Sequence, residues 1–246
     1  MRHLILFLCF FLPGASALAV GNLAKVELID QATGRPLPVY QSGGRWFVAG
    51  NPGSEYRIVI RNRSGGDLLA LASVDGVNVV SGETAAPTQS GYVIGQHGSL
   101  SIAGWRKSLE KVAAFFFTDL GTSYAVRTGR PDNVGVIGVA LFRRKAEPLA
   151  DLDEPAFKAE SGASRGSADA SAPRTAEKSI GTGHGRQQTA HARYVEFERE
   201  SDSPSEIIAI HYDTYVNLVA RGVIREREKW PAPFPGEFVP DPPGRG

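Results

Sequence analysis

Residues 133–143 read NVGVIGVALFR. As an extended strand this run puts Val134, Val136, Ala140 and Phe142 on one side and Ile137, Val139 and Leu141 on the other, because successive side chains of a strand point to opposite faces. Both sides are apolar, so the run predicts a strand covered on both faces. Gly135 and Gly138 leave room there for a close backbone or mark a bulge. The run at 113–117, AAFFF, has the same character, with Phe115 and Phe117 on one side and Phe116 on the other. The pattern at 56–61 differs. Tyr56, Ile58 and Ile60 share one face and Arg57 and Arg61 the other, as in a half-buried strand. Ser64-Gly65-Gly66-Asp67 then reads as a hairpin turn into a strand at 68–74.

Shorter strand candidates flank these runs: 25–29, 45–49, 77–80, 91–94 and 99–102, set between segments rich in Gly, Pro, Asn and Asp. Many short strands separated by such turns argue a mainly β fold, an antiparallel β-sandwich of Ig-like or jelly-roll-like type. Residues 104–111 (GWRKSLEK) lack β-branched side chains and are expected to form one helical turn that crosses between the sheets.

The chain has 246 residues, 42% hydrophobic and 22% charged. Those proportions suit a folded globular chain and exclude a wholly disordered or polytopic membrane one. The start is distinctive. Met1-Arg2-His3 precedes nine apolar residues (Leu4 to Leu12), then Pro13-Gly14 and Ala15-Ser16-Ala17. This is the layout of a secretory signal peptide, and the apolar run is far short of the ~20 residues a membrane-spanning helix needs. Cys9 follows Leu8 instead of a small residue, so it does not read as a lipid anchor. Cleavage is expected after Ala17, with a second site at Ala17-Leu18-Ala19. The mature chain is then periplasmic or secreted, and no later stretch reads as a transmembrane segment. Cleavage removes the only Cys, the only Met and Arg2, leaving 26 basic and 26 acidic side chains. The mature chain is therefore neutral and free of disulfides, in a compartment that permits them.

Composition divides the rest. Residues 1–17 are the signal peptide and 18–146 the β-sandwich. Residues 147–190 read as a flexible linker, since 159–179 (AESGASRGSADASAPRTAEKS) hold no aromatic or large aliphatic residue and cannot offset the entropy of ordering. Gly181-Thr-Gly-His-Gly, within that stretch, reads as a loop. In 191–230 a strand is expected at 194–199 and another at 206–212 (EIIAIHY). Asp213 would then cap a helix over 214–221, which Gly222 ends. That segment is too small for its own core and is expected to dock its strand and short helix on the sandwich across the disordered linker. Residues 231–246 form a proline-rich tail. Net charge runs from +5 in 18–146 to −2 in 147–190 and −3 in 191–246, and no basic block of the kind that neutralises a nucleic-acid backbone is present.

Several segments together resemble a group of exported, signal-peptide-bearing proteobacterial proteins of unknown function. They are 73–79 (SVDGVNV), 81–85 (SGETA), 89–92 (QSGY), 104–108 (GWRKS), 123–139 (SYAVRTGRPDNVGVIGV), 181–185 (GTGHG) and 211–222 (HYDTYVNLVARG). The resemblance implies a bacterial envelope protein in which the C-terminal segment and the β domain form one architecture.

Candidate binding residues lie on the polar loops, where a rigid scaffold tends to present them. Asp75 and Asn78 flank Gly76. Trp105-Arg106-Lys107 offers an aromatic face and two cations. Tyr124, Arg127, Arg130 and Asp132 surround a Thr-Gly-Arg-Pro turn. If these loops meet at one end of the sandwich they form a cleft for an acidic sugar, a peptide carboxylate or another anion. The alternative is that Asp75 and Asn78 satisfy backbone groups in their turn, Asp132 pairs with an arginine and Trp105 caps the core. Catalytic signals are sparse. There is no mature thiol, and Ser81 and Ser90 lack a nucleophile-elbow context. A carboxylate pair drawn from Asp75, Glu83, Asp119 and Asp132 would need to converge in space. His97, His184, His191 and His211 lack metal-binding spacing. The sequence thus predicts an exported, envelope-associated binding module without catalytic activity, cofactor or metal, with an envelope protein or glycan as partner. The alternatives are a carbohydrate-active hydrolase with paired carboxylates and a structural envelope-assembly component. Reductant should leave the thermal melting of the processed chain unchanged, as followed by circular dichroism. A large drop would show that Cys9 had been retained and paired.

Overall fold

The computed structural model describes residues 19–146 and 179–225. The expected signal peptide, the 147–178 part of the linker, the last residues of the C-terminal segment (226–230) and the tail at 231–246 lie outside the described residues. In chain order the strands are β1 (Ala24–Asp30), β2 (Val39–Ser42), β3 (Arg45–Ala49), β4 (Glu55–Asn62), β5 (Leu68–Val74), β6 (Val77–Asn78), β7 (Tyr92–Ile94), β8 (Ser99–Ile102), β9 (Gly104–Arg106), β10 (Lys111–Asp119), β11 (Val136–Arg143), β12 (Ile180–Thr189) and β13 (Glu206–Asp213). Two short α-helices, α1 (Tyr124–Arg127) and α2 (Tyr215–Ala220), and 3-10 turns at Leu120–Thr122 and Pro131–Asn133 complete the set among the described residues.

Apolar alternation folds these strands into the expected two-layer sandwich. One sheet runs β1-β4-β10-β12, with β8 on β4 and β9 on β10; the other runs β2-β3-β13-β11-β5-β6, with β7 also on β5. The core between them takes Leu28, Tyr56, Ile58, Ile60, Phe115 and Phe117 from the first sheet and Leu68, Ile137, Val139, Leu141 and Ile210 from the second. Strand β11 is covered on both faces as its sequence requires. Ile137, Val139 and Leu141 face the core, while Phe142 joins Leu69 and Leu71 in a separate outer cluster.

Four local expectations change. First, 64–67 is not a hairpin, because β4 and β5 belong to different sheets. The side chain of Asn62 makes the corner. It donates to the carbonyls of Gly66, Ile94 and Gly95 and accepts from Ser64 N. Second, Gly104–Arg106 is a strand. Strands β4 and β10 pair only at Tyr56/Phe115 and Glu55/Phe116 before they diverge, and the chain 99–106 fills the fork, first along β4 and then back along β10. At the vertex a Cβ on Gly104 would lie 2.0 Å from the Ala113 carbonyl oxygen, so only glycine fits. Third, the expected linker ends early. The Gly-Thr-Gly-His-Gly segment is part of β12, paired along β10. A Cβ on Gly183 would meet the Phe116 ring at 2.2 Å, and one on Gly181 would meet Ser123 at 2.5 Å. The alternate glycines thus make room for an aromatic ring and a loop on the outer face. Fourth, 194–199 forms no strand; only Arg199 bridges to Arg144.

The C-terminal segment does more than dock. Strand β13 lies inside the second sheet, antiparallel to β11 and parallel to β3. Helix α2 follows, capped by Thr214, whose hydroxyl accepts from Asn217 N at 3.1 Å. Asp213 instead accepts from Thr214 N and from the Asn217 amide. Leu218 of α2 packs with Ile224 on Phe47, on the outer face of β3. Trp105 belongs to the core at 3% exposure, edge-on to Phe115. Trp105→Ala should therefore lower unfolding free energy by about 3–5 kcal/mol, read from urea denaturation. A change under about 1 kcal/mol would mean that the indole is dispensable to packing.

Candidate functional site

The loops expected to form a cleft do meet, but they close on each other. Asp75 turns the chain between β5 and β6 in the left-handed region (φ 53°), followed by Gly76 (φ 73°). Gly76 sits against Asn133, where a Cβ would fall 2.7 Å away. The Asp75 carboxylate points inward and is 1% exposed. It accepts from Gly135 N at 2.9 Å, Thr182 N at 2.8 Å and the Tyr212 hydroxyl at 2.5 Å. The Thr182 hydroxyl bonds both Tyr212, at 2.8 Å, and Tyr56, at 2.7 Å. A polar chain therefore crosses the core from one sheet to the other. Burial raises the Asp75 pKa above the ordinary carboxylate range, although its donors pull it down. Burial, with the Asp75 charge second, holds both phenols well above their usual value. A carboxylate this enclosed cannot reach a substrate, so no catalytic pair in an open cleft includes Asp75.

The other expected residues divide between packing and surface. Asn78 is buried; it accepts from Val80 N and donates to Gln89 and the Ser90 carbonyl. The Trp105 indole donates to the Gly183 carbonyl at 3.2 Å. Arg130 donates to the Gly82 carbonyl. Asp132 is exposed and makes no ion pair among the described residues. Tyr124 packs on Trp105 at 4.8 Å and stacks on His184 at 5.7 Å. Partial burial of His184 and the nearby charges of Lys107 and Arg127 lower its pKa. His211 lies over Phe47, and no metal-ligating cluster occurs among the described residues.

Arg106 and Lys107 lead to an open site that the sequence did not indicate. After β12 the chain runs as a strap, residues 190–200, from the first sheet to the outer face of the second. At its start Ala190 N and Ala192 N donate to the carbonyls of Glu110 and Leu109, and the Arg106 guanidinium donates to the Ala190 carbonyl. At its far end Lys145 N donates to the Glu198 carbonyl and Glu200 N to the Arg143 carbonyl. Arg199 stacks on Phe142 at 4.1 Å and donates to the carbonyls of Pro87 and Gln89. Arg144 stacks on Phe197 at 4.6 Å, donates to the Glu196 carbonyl and pairs with Asp67 at 3.2 Å.

Beneath this strap is a half-open groove of about 910 Å³. Leu69, Tyr92, Val93 and Leu100 form part of its lining, with Leu109, Tyr194 and Val195 beside them. Its basic side chains are Arg106, Lys107, Arg144, Arg193 and Arg199, joined by His191; its one carboxylate is Asp67. The guanidinium groups of Arg106, Arg144 and Arg199 are engaged in holding the strap, whereas Lys107 and Arg193 have no acidic partner among the described residues. The strap carries no motif in the sequence; Arg106 and Arg144 are brought to it, and its own Arg199 to Phe142, only by the fold. No family model, curated protein or solved structure matches the chain. What the molecule offers is a β-sandwich with an arginine-pinned strap over a basic groove.

The buried carboxylate makes a test with a definite sign. Its native pKa is raised, so the folded state holds the proton more tightly than the unfolded one. Protonation therefore stabilises the fold at low pH, and that stability is lost as pH rises from the ordinary carboxylate range through the native pKa. Asp75→Asn replaces an acceptor with a donor facing N–H and O–H groups, at a cost of about 1–3 kcal/mol. That cost should be largest at acidic pH and shrink on the way to neutrality in urea titrations. A cost that grew with pH would reverse the assignment.

Proposed function

We propose that the protein is an exported, non-catalytic binding module of the bacterial envelope, and that its ligand site is the basic groove under the strap. The leader-like start and the resemblance to exported proteobacterial proteins support the location. The observation that carries the site is the charge imbalance in a half-open groove: five arginine or lysine side chains against Asp67. Such a lining concentrates anions at its mouth. Three of the arginines brace the roof on both sides, so the groove is formed before a ligand arrives, which reduces the ordering cost of binding. Among the described residues no helix is long and apolar enough to cross a membrane.

The test is anion binding by the full chain. Polyglutamate and oligogalacturonate should both be drawn to the groove at low salt, in a salt-sensitive way. The double variant Lys107→Ala, Arg193→Ala should weaken retention by about tenfold with melting unchanged, since neither side chain holds the strap. Anion binding that survives the double variant at full strength would remove the groove from consideration.

A further inference from the structure

We infer that the groove takes an extended acidic peptide bearing aliphatic side chains, laid down as an added strand between the edge of β7 and the strap. The inference rests on the groove being the binding site and names its ligand class. Three observations point to a peptide over a saccharide.

The first is backbone. Strand β7 pairs with β5 on one side only, so it is an edge strand with part of its hydrogen-bonding capacity facing outward. The strap belongs to no strand, and the N–H groups of residues 193–197 have no partner among the described residues. An edge strand and a segment with free N–H groups lining one groove are a template for strand addition, in which main-chain hydrogen bonds supply affinity and alternate side chains supply specificity.

The second is apolar surface. The large hydrophobic side chains exposed among the described residues are Leu109, Tyr194, Val195, Ile207, Tyr215 and Val216. Three of them, Leu109, Tyr194 and Val195, line this groove. Exposed apolar side chains gathered at one place mark an interaction site. Leu109 and Val195 match aliphatic side chains, which an acidic saccharide does not offer.

The third is charge. Lys107 and Arg193, free of acidic partners among the described residues, lie in the same groove as these apolar groups. An added strand presents its alternate residues to one side. A peptide alternating acidic and aliphatic residues therefore sends its carboxylates one way and its aliphatic groups the other. Lys107 and Arg193 would pair the carboxylates.

The experiment titrates the full chain with a synthetic peptide of alternating Glu and Val. Three probes are compared with it: the same peptide N-methylated at alternate amides, a Lys-Val peptide, and oligogalacturonate of equal charge. The inference expects saturable binding of Glu-Val. N-methylation in either register, Glu to Lys replacement, and Lys107→Ala with Arg193→Ala in the protein should each weaken it about tenfold or more. Val195→Ser should weaken Glu-Val and leave oligogalacturonate unchanged. Binding of the N-methylated peptides as tight as that of the parent peptide, or a preference for oligogalacturonate, overturns the peptide assignment while the groove stands. Loss of every anion's dependence on Lys107 and Arg193 overturns the groove as well. Self-association that buries the groove and resists the Glu-Val peptide assigns it to a second copy of the chain and overturns the inference.

Discussion

The Asp75 carboxylate ties together parts of the chain that are far apart in sequence. Its donors come from Gly135, just before β11, from Thr182 on β12 and from Tyr212 on β13, and through Thr182 it reaches Tyr56 on β4. A charge in this setting is costly unless its hydrogen bonds are complete, and completing them fixes where four strands stand relative to one another. Apolar burial is indifferent to small slides of one sheet over the other. The carboxylate is not, because each of its donors is directional. The polar chain therefore sets register between the layers, and the surrounding aliphatic and aromatic side chains supply most of the driving force. Among the described residues, no buried side-chain nitrogen or oxygen lacks a partner.

How much of this was legible follows from what each signal depends on. The sandwich could be read from alternation because burial on a strand is a local, period-two property, as at Tyr56, Ile58 and Ile60. Strand β12 could not, because its sequence is shaped by its neighbour; its glycines answer to the Phe116 ring, which lies on another strand. The corner at Asn62 reads as a hairpin because turn chemistry is the same whether the next strand returns to its own sheet or crosses to the other. At the candidate site, Asp75, Asn78 and Trp105 were chosen for their chemistry, and that chemistry is used internally, as the alternative reading allowed. Arg106 and Lys107 stand out in the sequence for a reason that holds only in part, since Arg106 commits its guanidinium to the Tyr92 hydroxyl and the Ser108 and Ala190 carbonyls, bracing the strap, while Lys107 takes no part in holding it.

The strap shows how one set of side chains can hold a structure and still leave a surface available. Arginine suits this because its planar head stacks on an aromatic ring while its edge donates to carbonyls. Arg144 and Arg199 do this from opposite sides, one from β11's end onto the strap and the other from the strap onto β11. The result is a segment tied at both ends, with the N–H groups of residues 193–197 unpartnered among the described residues. Exposed ion pairs alone would not give this firmness, since each contributes about 0–1 kcal/mol. The rings beneath the guanidinium groups and the carbonyls around them supply the rest.

Strand β13 lies between β3 and β11, pairing parallel to the first and antiparallel to the second. Sheets normally grow outward from neighbours in sequence. Here the second sheet remains divided until the last strand is made, with Trp46 waiting for Ile210. Non-local pairing of this kind is slow to form, because the chain must be closed over a long loop before any contact rewards it. A chain emerging from a ribosome would thus stay open until residues 206–213 are available. The late arrival of its middle strand is a built-in delay, since β3 and β11 keep their facing edges unpaired until it inserts between them.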